Sequence, residues 1–126
     1  MIKPRVILAD DYAPLLTALG RLIGQECEIV GRVETVVDLV EVAKVTRPDI
    51  AIVDMTMPDA SGIDACRRLK EIQPEIGVII VTAIDDVDVR KAALDAGAAD
   101  YITKTMTHTR LLAAIREIWS RMNATI

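Results

Sequence analysis

The stretch Ile50-Ala51-Ile52-Val53-Asp54 places a carboxylate at the end of a short apolar run. Runs of this length, rich in β-branched residues, are typical of strands that are buried on both faces in a parallel sheet. Three other runs also end on a polar group: residues 6–9 at Asp10 and Asp11, residues 78–81 at Thr82, and residues 101–103 at Lys104. Because ligands bind at the carboxyl ends of strands in open parallel sheets, we expect these groups to share one crevice.

The expected crevice combines three carboxylates with one hydroxyl and one ammonium group. Carboxylates that are held close together repel one another unless a cation joins them. The sequence therefore predicts a divalent metal ion between the acids. It also predicts that Lys104 is available to bind a second anion.

Strand-like and helix-like segments alternate along the whole chain. The predicted strands are residues 6–9, 28–33, 50–54, 78–82 and 99–103. The predicted helices follow them, with apolar residues at helical spacing in 15–23, 35–46, 63–72, 89–96 and 107–122. Short connections of this kind force right-handed crossovers, with helices on both faces of the sheet. The pattern predicts a single α/β domain over residues 1–126.

Composition excludes several classes of function. The 126 residues are 52% hydrophobic and 2% aromatic with a net charge of -4, which argues against a nucleic-acid-binding module. No apolar run reaches the ~18 residues of a membrane span, and no signal peptide opens the chain, so we expect a cytoplasmic protein. Cys27, Cys66 and His108 have no partner at metal-ligand spacing, which argues against zinc.

Five stretches, taken in order, resemble the receiver domain of two-component response regulators over nearly the whole chain. They are residues 9–11 (Ala-Asp-Asp), 53–55 (Val-Asp-Met), 57–62 (Met-Pro-Asp-Ala-Ser-Gly), 81–83 (Val-Thr-Ala) and 96–104 (Ala-Gly-Ala-Ala-Asp-Tyr-Ile-Thr-Lys). The resemblance implies a flavodoxin-like, doubly wound sheet of five parallel strands in the order 2-1-3-4-5, with five helices.

The resemblance also implies a role for each polar group. Asp54 is the expected phosphoacceptor, and its donor is a phosphohistidine on a sensor histidine kinase or a phosphotransfer protein. The expected ligands of Mg²⁺ are Asp11, Asp54 and the backbone carbonyl of Thr56, with Asp10 acting through water. Lys104, Thr82 and the backbone after Asp54 are expected to hold the phosphoryl oxygens, whose charge spreads during transfer.

A switch is implied by the same resemblance. After phosphorylation, Thr82 is expected to move toward the new oxygens, and Tyr101 to turn inward behind it. The surface formed by the fourth helix, the fifth strand and the fifth helix then changes, and an output domain or a second copy reads it. On this interpretation the protein is a switch that catalyses its own phosphorylation and dephosphorylation, and it is not an enzyme in the ordinary sense.

Some positions depart from the usual pattern of the family. Thr105 stands where many receivers have proline, so no cis peptide bond is expected there. This feature and residues 28–33 resemble receivers that are attached to LuxR-type helix-turn-helix output domains. By the same resemblance, Thr56 and Ile84 occupy the positions that tune the phosphoryl lifetime in this family, and neither is an acid or amide able to orient water. We therefore expect slow self-dephosphorylation.

Alternative functions remain open at this stage. The chain fits a stand-alone receiver and equally an amino-terminal regulatory domain excised from a LuxR-type transcription factor. A phosphatase with an aspartyl nucleophile is disfavoured. That class has two aspartates separated by one residue after its first strand, whereas Asp10 and Asp11 are adjacent. A nucleotide-binding domain is disfavoured because no glycine-rich phosphate loop is present. A pseudo-receiver is disfavoured because every group of the acceptor site is present.

Two helices carry more apolar residues than one sheet contact needs. We interpret the valine-rich helix over residues 35–46 as deeply packed, in preference to a partner surface. On the fifth helix, Leu112 and Trp119 widen the apolar face, and packing and partner contact are equally compatible with this pattern.

Overall fold

The computed structural model describes residues 2–124 of the chain. Its strands are β1 (Arg5–Ala9), β2 (Glu28–Val33), β3 (Ile50–Asp54), β4 (Gly77–Thr82) and β5 (Asp100–Thr103). Its α-helices are α1 (Ala13–Ile23), α2 (Val36–Thr46), α3 (Gly62–Ile72), α4 (Val87–Asp95) and α5 (Thr107–Met122). A 3₁₀ turn, Lys104–Met106, joins β5 to α5.

The five strands pair in parallel in the order β2-β1-β3-β4-β5. This arrangement confirms the flavodoxin-like, doubly wound fold that the sequence predicts. The peptide bond before Thr105 is trans, as expected for a bond that precedes a residue other than proline. Within residues 2–124, no helix has the length and apolar character that a membrane span requires.

Two apolar layers enclose the sheet. Alternate residues of the central strands face α1 and α5 on one side and α2, α3 and α4 on the other. In β3, for example, Ile52 belongs to the first layer and Val53 to the second. Because both faces are covered, the central strands are apolar throughout, which is why they were recognisable as continuous runs.

The predicted start of β5 is wrong by one residue, whereas the acidic residues before the apolar stripe of α4 do mark the start of that helix. Helix α4 begins at Val87, because the Asp86 side chain accepts hydrogen bonds from the N–H groups of Asp88 and Val89 and caps the helix. The helix ends before Gly97, whose φ of 104° suits glycine and stops the helical path. Strand β5 accordingly begins at Asp100, one residue later than predicted.

The observed packing contradicts the prediction for α2 in part and leaves both alternatives for α5. Val37 and Val45 of α2 are 57% and 84% exposed, so the interpretation of α2 as deeply packed is wrong for these two residues. The helix buries only one face, and Val37 and Val45 lie on the face that is exposed to solvent. Leu112 and Trp119 of α5 are partly buried and line a cavity of about 280 Å³ together with Ile2. Packing and partner contact therefore remain alternatives for α5.

The start of α3 lies unusually close to the end of β3. The backbone N–H of Gly62 donates to the carbonyl of Met55 at 2.7 Å. A Cβ atom at Gly62 would lie 2.8 Å from the carbonyl oxygen of Asp54 and 2.9 Å from the Cα of Met55. Since both neighbours are backbone atoms, no side chain can move aside to make room.

We expect Gly62→Ala to lower the free energy of unfolding by about 1–3 kcal/mol, the range for an overpacked site. Gly31→Ala is the matched control, because the nearest atoms to its Cβ would be side-chain atoms of Val42 and Ile7, at 3.0 Å or more. That change should stay within about 1 kcal/mol of wild type, since glycine is itself unfavourable in a strand. Urea denaturation of the two variants measures the difference. Equal stability of both variants would show that the backbone approach is relaxed in solution.

Candidate functional site

The sheet brings the expected polar groups to one edge. Strand β1 ends one residue before Asp10, β3 ends at Asp54, β4 ends at Thr82, and β5 ends one residue before Lys104. Because the strands are parallel and adjacent, their carboxyl ends lie side by side. The fold therefore produces the crevice that was predicted from the four apolar runs.

Three carboxylates meet at this edge. Asp10, Asp11 and Asp54 each offer an oxygen atom, and these atoms all lie within 4.8 Å of one another. Asp10 and Asp54 are buried, whereas Asp11 is exposed. An all-oxygen donor set that is partly open to solvent suits Mg²⁺, which keeps several water ligands and binds through one or two carboxylates. The residues present therefore fit a divalent cation.

Lys104 joins two of the three acids. Its Nζ lies 3.3 Å from Oδ2 of Asp10 and 3.3 Å from Oδ1 of Asp54. With all three acids ionised, one ammonium group leaves two negative charges uncompensated. A divalent cation would balance them, and this match of charge is independent of the match in ligand type.

Burial and charge together shift the pKa values of Asp54 and Lys104. Burial raises the pKa of Asp54 above its ordinary value, and the neighbouring charge of Asp10 raises it further against the opposing effect of Lys104. Burial alone would lower the pKa of Lys104, but attraction by Asp54 and Asp10 outweighs it and raises that pKa. Lys104 is therefore held in its cationic form, and the ionised form of Asp54 is disfavoured by burial and by Asp10.

Backbone hydrogen bonds orient the acids. The N–H of Tyr12 donates to Oδ1 of Asp10 at 2.8 Å, and the Thr56 N–H interacts with the carboxylate of Asp54. The N–H of Met55 is already engaged, since it donates to the carbonyl of Val81 at 2.8 Å. The backbone group that faces the acceptor is therefore that of Thr56, the second residue after Asp54.

A cavity of about 300 Å³ opens beside Asp54 and Lys104, and its lining includes Thr56, Thr82 and Tyr101. The structure thus gathers the residues that the sequence named around two adjoining features, the acid cluster and this cavity. A small anion next to Asp54 would contact Lys104 from one side and the backbone after the strand from the other.

Tyr101 does not start where it was expected. The ring of Tyr101 is already buried, so the expectation that it turns inward only after phosphorylation is wrong for its starting position. Its hydroxyl donates to the carbonyl of Ile84 at 3.2 Å, and the hydroxyl of Thr82 donates to the same carbonyl at 3.2 Å. The guanidinium of Arg90 lies 5.0 Å from the ring centroid and stabilises the inward position by a cation–π contact.

Comparison with known protein families decides which fold family this is. Residues 6–116 match the response regulator receiver domain, and this match covers most of the chain. The chain belongs to the response regulator receiver family. It is therefore the receiver domain of a two-component response regulator, a class of signalling switches and not of conventional enzymes.

Individual relatives of this receiver agree with that assignment. The response regulator GacA of Pseudomonas aeruginosa is 30% identical over 122 residues, which cover 95% of this chain and 56% of that protein. The DNA-binding transcriptional activator DevR/DosR of Mycobacterium tuberculosis is 29% identical over 116 residues, covering 90% of this chain and 54% of that protein. The chain spans about half the length of the curated relatives it matches.

Solved structures match the receiver closely. A LuxR-family two-component response regulator from Aurantimonas sp. SI85-9A1 superimposes with a TM-score of 0.90 at 26% identity, covering 95% of this chain and 87% of that chain. The likeness to LuxR-type receivers that Thr105 and residues 28–33 suggested is therefore borne out among the structural neighbours.

Sequence reasoning missed two contacts of the receiver. Asp59 accepts hydrogen bonds from the backbone of Val36 and Val37, which are 23 and 22 residues away. Arg90 covers Tyr101. The motif containing Asp59 signalled a loop, but no local pattern indicates which distant backbone that loop reaches. The contact of Arg90 depends equally on how α4 packs beside β5.

We expect Asp54→Asn to raise the free energy of unfolding of the metal-free receiver at pH 7. An acid whose pKa is raised by folding destabilises the folded state above that pKa, and substitution removes this effect. The gain should disappear at pH values below the ordinary carboxyl pKa, where Asp54 is protonated in both states.

Urea denaturation in a chelator measures this difference, with Asp64→Asn as the exposed control. The control should stay within about 0.5 kcal/mol of wild type. A less stable Asp54→Asn variant at pH 7 would contradict the electrostatic description of the site. Added Mg²⁺ should narrow the gap, because it stabilises only the protein that binds it.

Proposed function

We propose that residues 1–126 form a receiver that accepts a phosphoryl group on Asp54. The donor is a phosphohistidine on a sensor histidine kinase or a phosphotransfer protein, and the reaction depends on Mg²⁺. The observation that carries this proposal is the cluster of Asp10, Asp11 and Asp54, whose oxygens lie within 4.8 Å of one another beside Lys104. The match to the receiver family supports the same chemistry.

The transfer itself needs little from the protein beyond positioning and charge. A carboxylate oxygen of Asp54 forms the bond to phosphorus while the bond from phosphorus to the histidine nitrogen breaks, so the histidine leaves with the electron pair. Lys104 and the Thr56 N–H are close enough to Asp54 to stabilise the transferred oxygens. When bound, Mg²⁺ would supply further positive charge, and Asp11, Asp54 and the Thr56 carbonyl would hold it, with Asp10 acting through water.

The proposed switch uses the carbonyl of Ile84 as its relay. Thr82 and Tyr101 both donate to that carbonyl, so a shift of the loop after β4 affects both. A phosphoryl group on Asp54 offers the Thr82 hydroxyl a more strongly charged acceptor than a neutral carbonyl. Thr82 then leaves Ile84, and the loop moves while Tyr101 stays inward. In this proposal, the movement of Thr82 and its loop is the first event, and Tyr101 does not need to turn inward.

The proposed readout surface comprises α4, β5 and α5. Val87 and Leu94 of α4 and Met106 before α5 are exposed apolar residues on or beside these elements, and such residues favour partner contact. An output domain or a second copy would bind there. A DNA-binding output domain of LuxR type is favoured by the activator DevR/DosR and by the LuxR-family structure among the relatives. The receiver itself would not contact the DNA.

Acetyl phosphate with Mg²⁺ should add one phosphoryl group to the wild-type receiver, and intact-mass spectrometry measures the gain. Asp54→Ala should gain none, because the nucleophilic carboxylate is absent. A chelator should abolish the gain in wild type, and Asp64→Ala, which removes an exposed carboxylate of α3, should behave as wild type. Equal phosphorylation of Asp54→Ala and wild type would refute Asp54 as acceptor.

The phosphorylated receiver should lose its phosphoryl group slowly, with a half-life of minutes or longer in Mg²⁺ buffer. Thr56 and Ile84 flank the acceptor cavity, and neither side chain orients an attacking water. Thr56→Asn introduces an amide at this position and should shorten the half-life by roughly tenfold, less than the ~100-fold typical of a full general base. Phosphate-affinity gels measure the decay. A wild-type half-life of seconds would contradict the expectation.

A further inference from the structure

The loop between β3 and α3 is attached to a helix outside the acid cluster. Asp59, near the tip of this loop, accepts a hydrogen bond at Oδ1 from the Val36 N–H at 2.9 Å. Its Oδ2 accepts another from the Val37 N–H at 3.0 Å. One carboxylate therefore joins the loop that follows Asp54 to the first turn of α2.

Helix α2 depends on this contact for its first two N–H groups. The first N–H groups of a helix have no partner within it and need an acceptor from elsewhere. The side chain of Thr35, the residue at the helix start, accepts from the N–H of Asp38 at 3.1 Å and leaves the N–H groups of Val36 and Val37 to another acceptor. Asp59 supplies the acceptors for the two preceding groups, and these N–H groups lower its pKa below the ordinary value. It is therefore ionised at neutral pH.

The same loop holds Thr56 in place. Thr56 pairs with Ser61 across the loop in an antiparallel bridge, and the Met57 N–H donates to the carbonyl of Ala60 at 3.2 Å. Met57 is itself buried in the core layer beside α2 and α3. The loop is thus a compact unit, closed at its base by Thr56 and attached at its tip by Asp59. A movement of the tip would be transmitted to Thr56.

The segment that receives Asp59 also supports Asp10. The N–H of Asp10 donates at 3.1 Å to the carbonyl of Val33, which ends β2 just before α2 begins. Residues 33–37 therefore hold Asp10 from one side and the loop of Thr56 from the other. Asp10 and the loop that contains Thr56 therefore share one support, the β2–α2 connection.

We infer that Asp59 is a positioning residue for the metal site, which holds Thr56 at the distance from Asp54 that cation binding needs. This inference rests on the proposed function. Local caps such as Ser61 on α3 and Asp86 on α4 bond to their own helix. Asp59 is different, because its bonds join the loop of the acceptor to a helix that precedes it in the chain.

The test is Mg²⁺ binding to the metal-free receiver, measured by isothermal titration calorimetry. Asp59→Ala removes both hydrogen bonds and should raise the Kd for Mg²⁺ by about tenfold, the lower end of the effect seen when the supports of metal ligands are removed. Asp59→Asn keeps one acceptor oxygen and should lie between Asp59→Ala and wild type. Amide hydrogen exchange at Val36 and Val37 should accelerate in Asp59→Ala, as an independent sign that the bonds are lost.

Two controls separate positioning from other effects. Thr35→Ala removes a cap from the same helix and Asp38→Asn removes a charge from the same turn, and neither substitution removes a hydrogen bond to the loop. Both should keep the wild-type Kd. Wild-type affinity in Asp59→Ala, or an equal loss in either control, would overturn the inference while leaving the proposed function intact. Failure of the wild-type receiver to bind Mg²⁺ would remove the proposed function as well, and that outcome is recognised before any variant is compared.

Discussion

The repulsion among three carboxylates at one edge of the sheet is the interaction on which the rest of this receiver depends. Asp10, Asp11 and Asp54 meet there because parallel strands end side by side, and Lys104 neutralises only part of their charge. Burial, and after it the charge of Asp10, raises the pKa of Asp54 against the opposing effect of Lys104. A site of this kind is less stable empty than filled, so it favours a divalent cation and then an anion that binds to that cation.

The remainder of the fold keeps these charges from separating. Two apolar layers fix the central strands, and the backbone around the acids is tied to neighbouring segments. The β2–α2 connection is the shared support, because it accepts a hydrogen bond from Asp10 and donates two to Asp59. On the opposite side of Asp54, the carbonyl of Ile84 connects Thr82 with Tyr101. The site is therefore held by fixed backbone hydrogen bonds on the side of the β2–α2 connection. On the side of Ile84, a change in the hydrogen bond of Thr82 would move the loop after β4.

The fold and the gathering of the site could be predicted from the sequence because both depend on local patterns. Buried parallel strands are continuous apolar runs, and each run ends on the group that the sheet then carries to the shared edge. The inward position of Tyr101 could not be predicted, since it depends on Arg90 and on Ile84, which come from other elements. The hydrogen-bond partners of Asp59 could not be predicted either, because local residue spacing does not indicate a hydrogen bond to a distant part of the backbone.

Anomalous diffraction from crystals soaked in Mn²⁺ would show whether a cation binds among these carboxylates, because Mn²⁺ takes the same oxygen ligands as Mg²⁺. We predict one strong peak between the carboxylates of Asp11 and Asp54, at a bonding distance of about 2–2.3 Å from both, typical of hard cations with oxygen ligands. The carbonyl of Thr56 should complete the protein ligands. A peak on another acidic surface, with none at this edge of the sheet, would contradict this prediction.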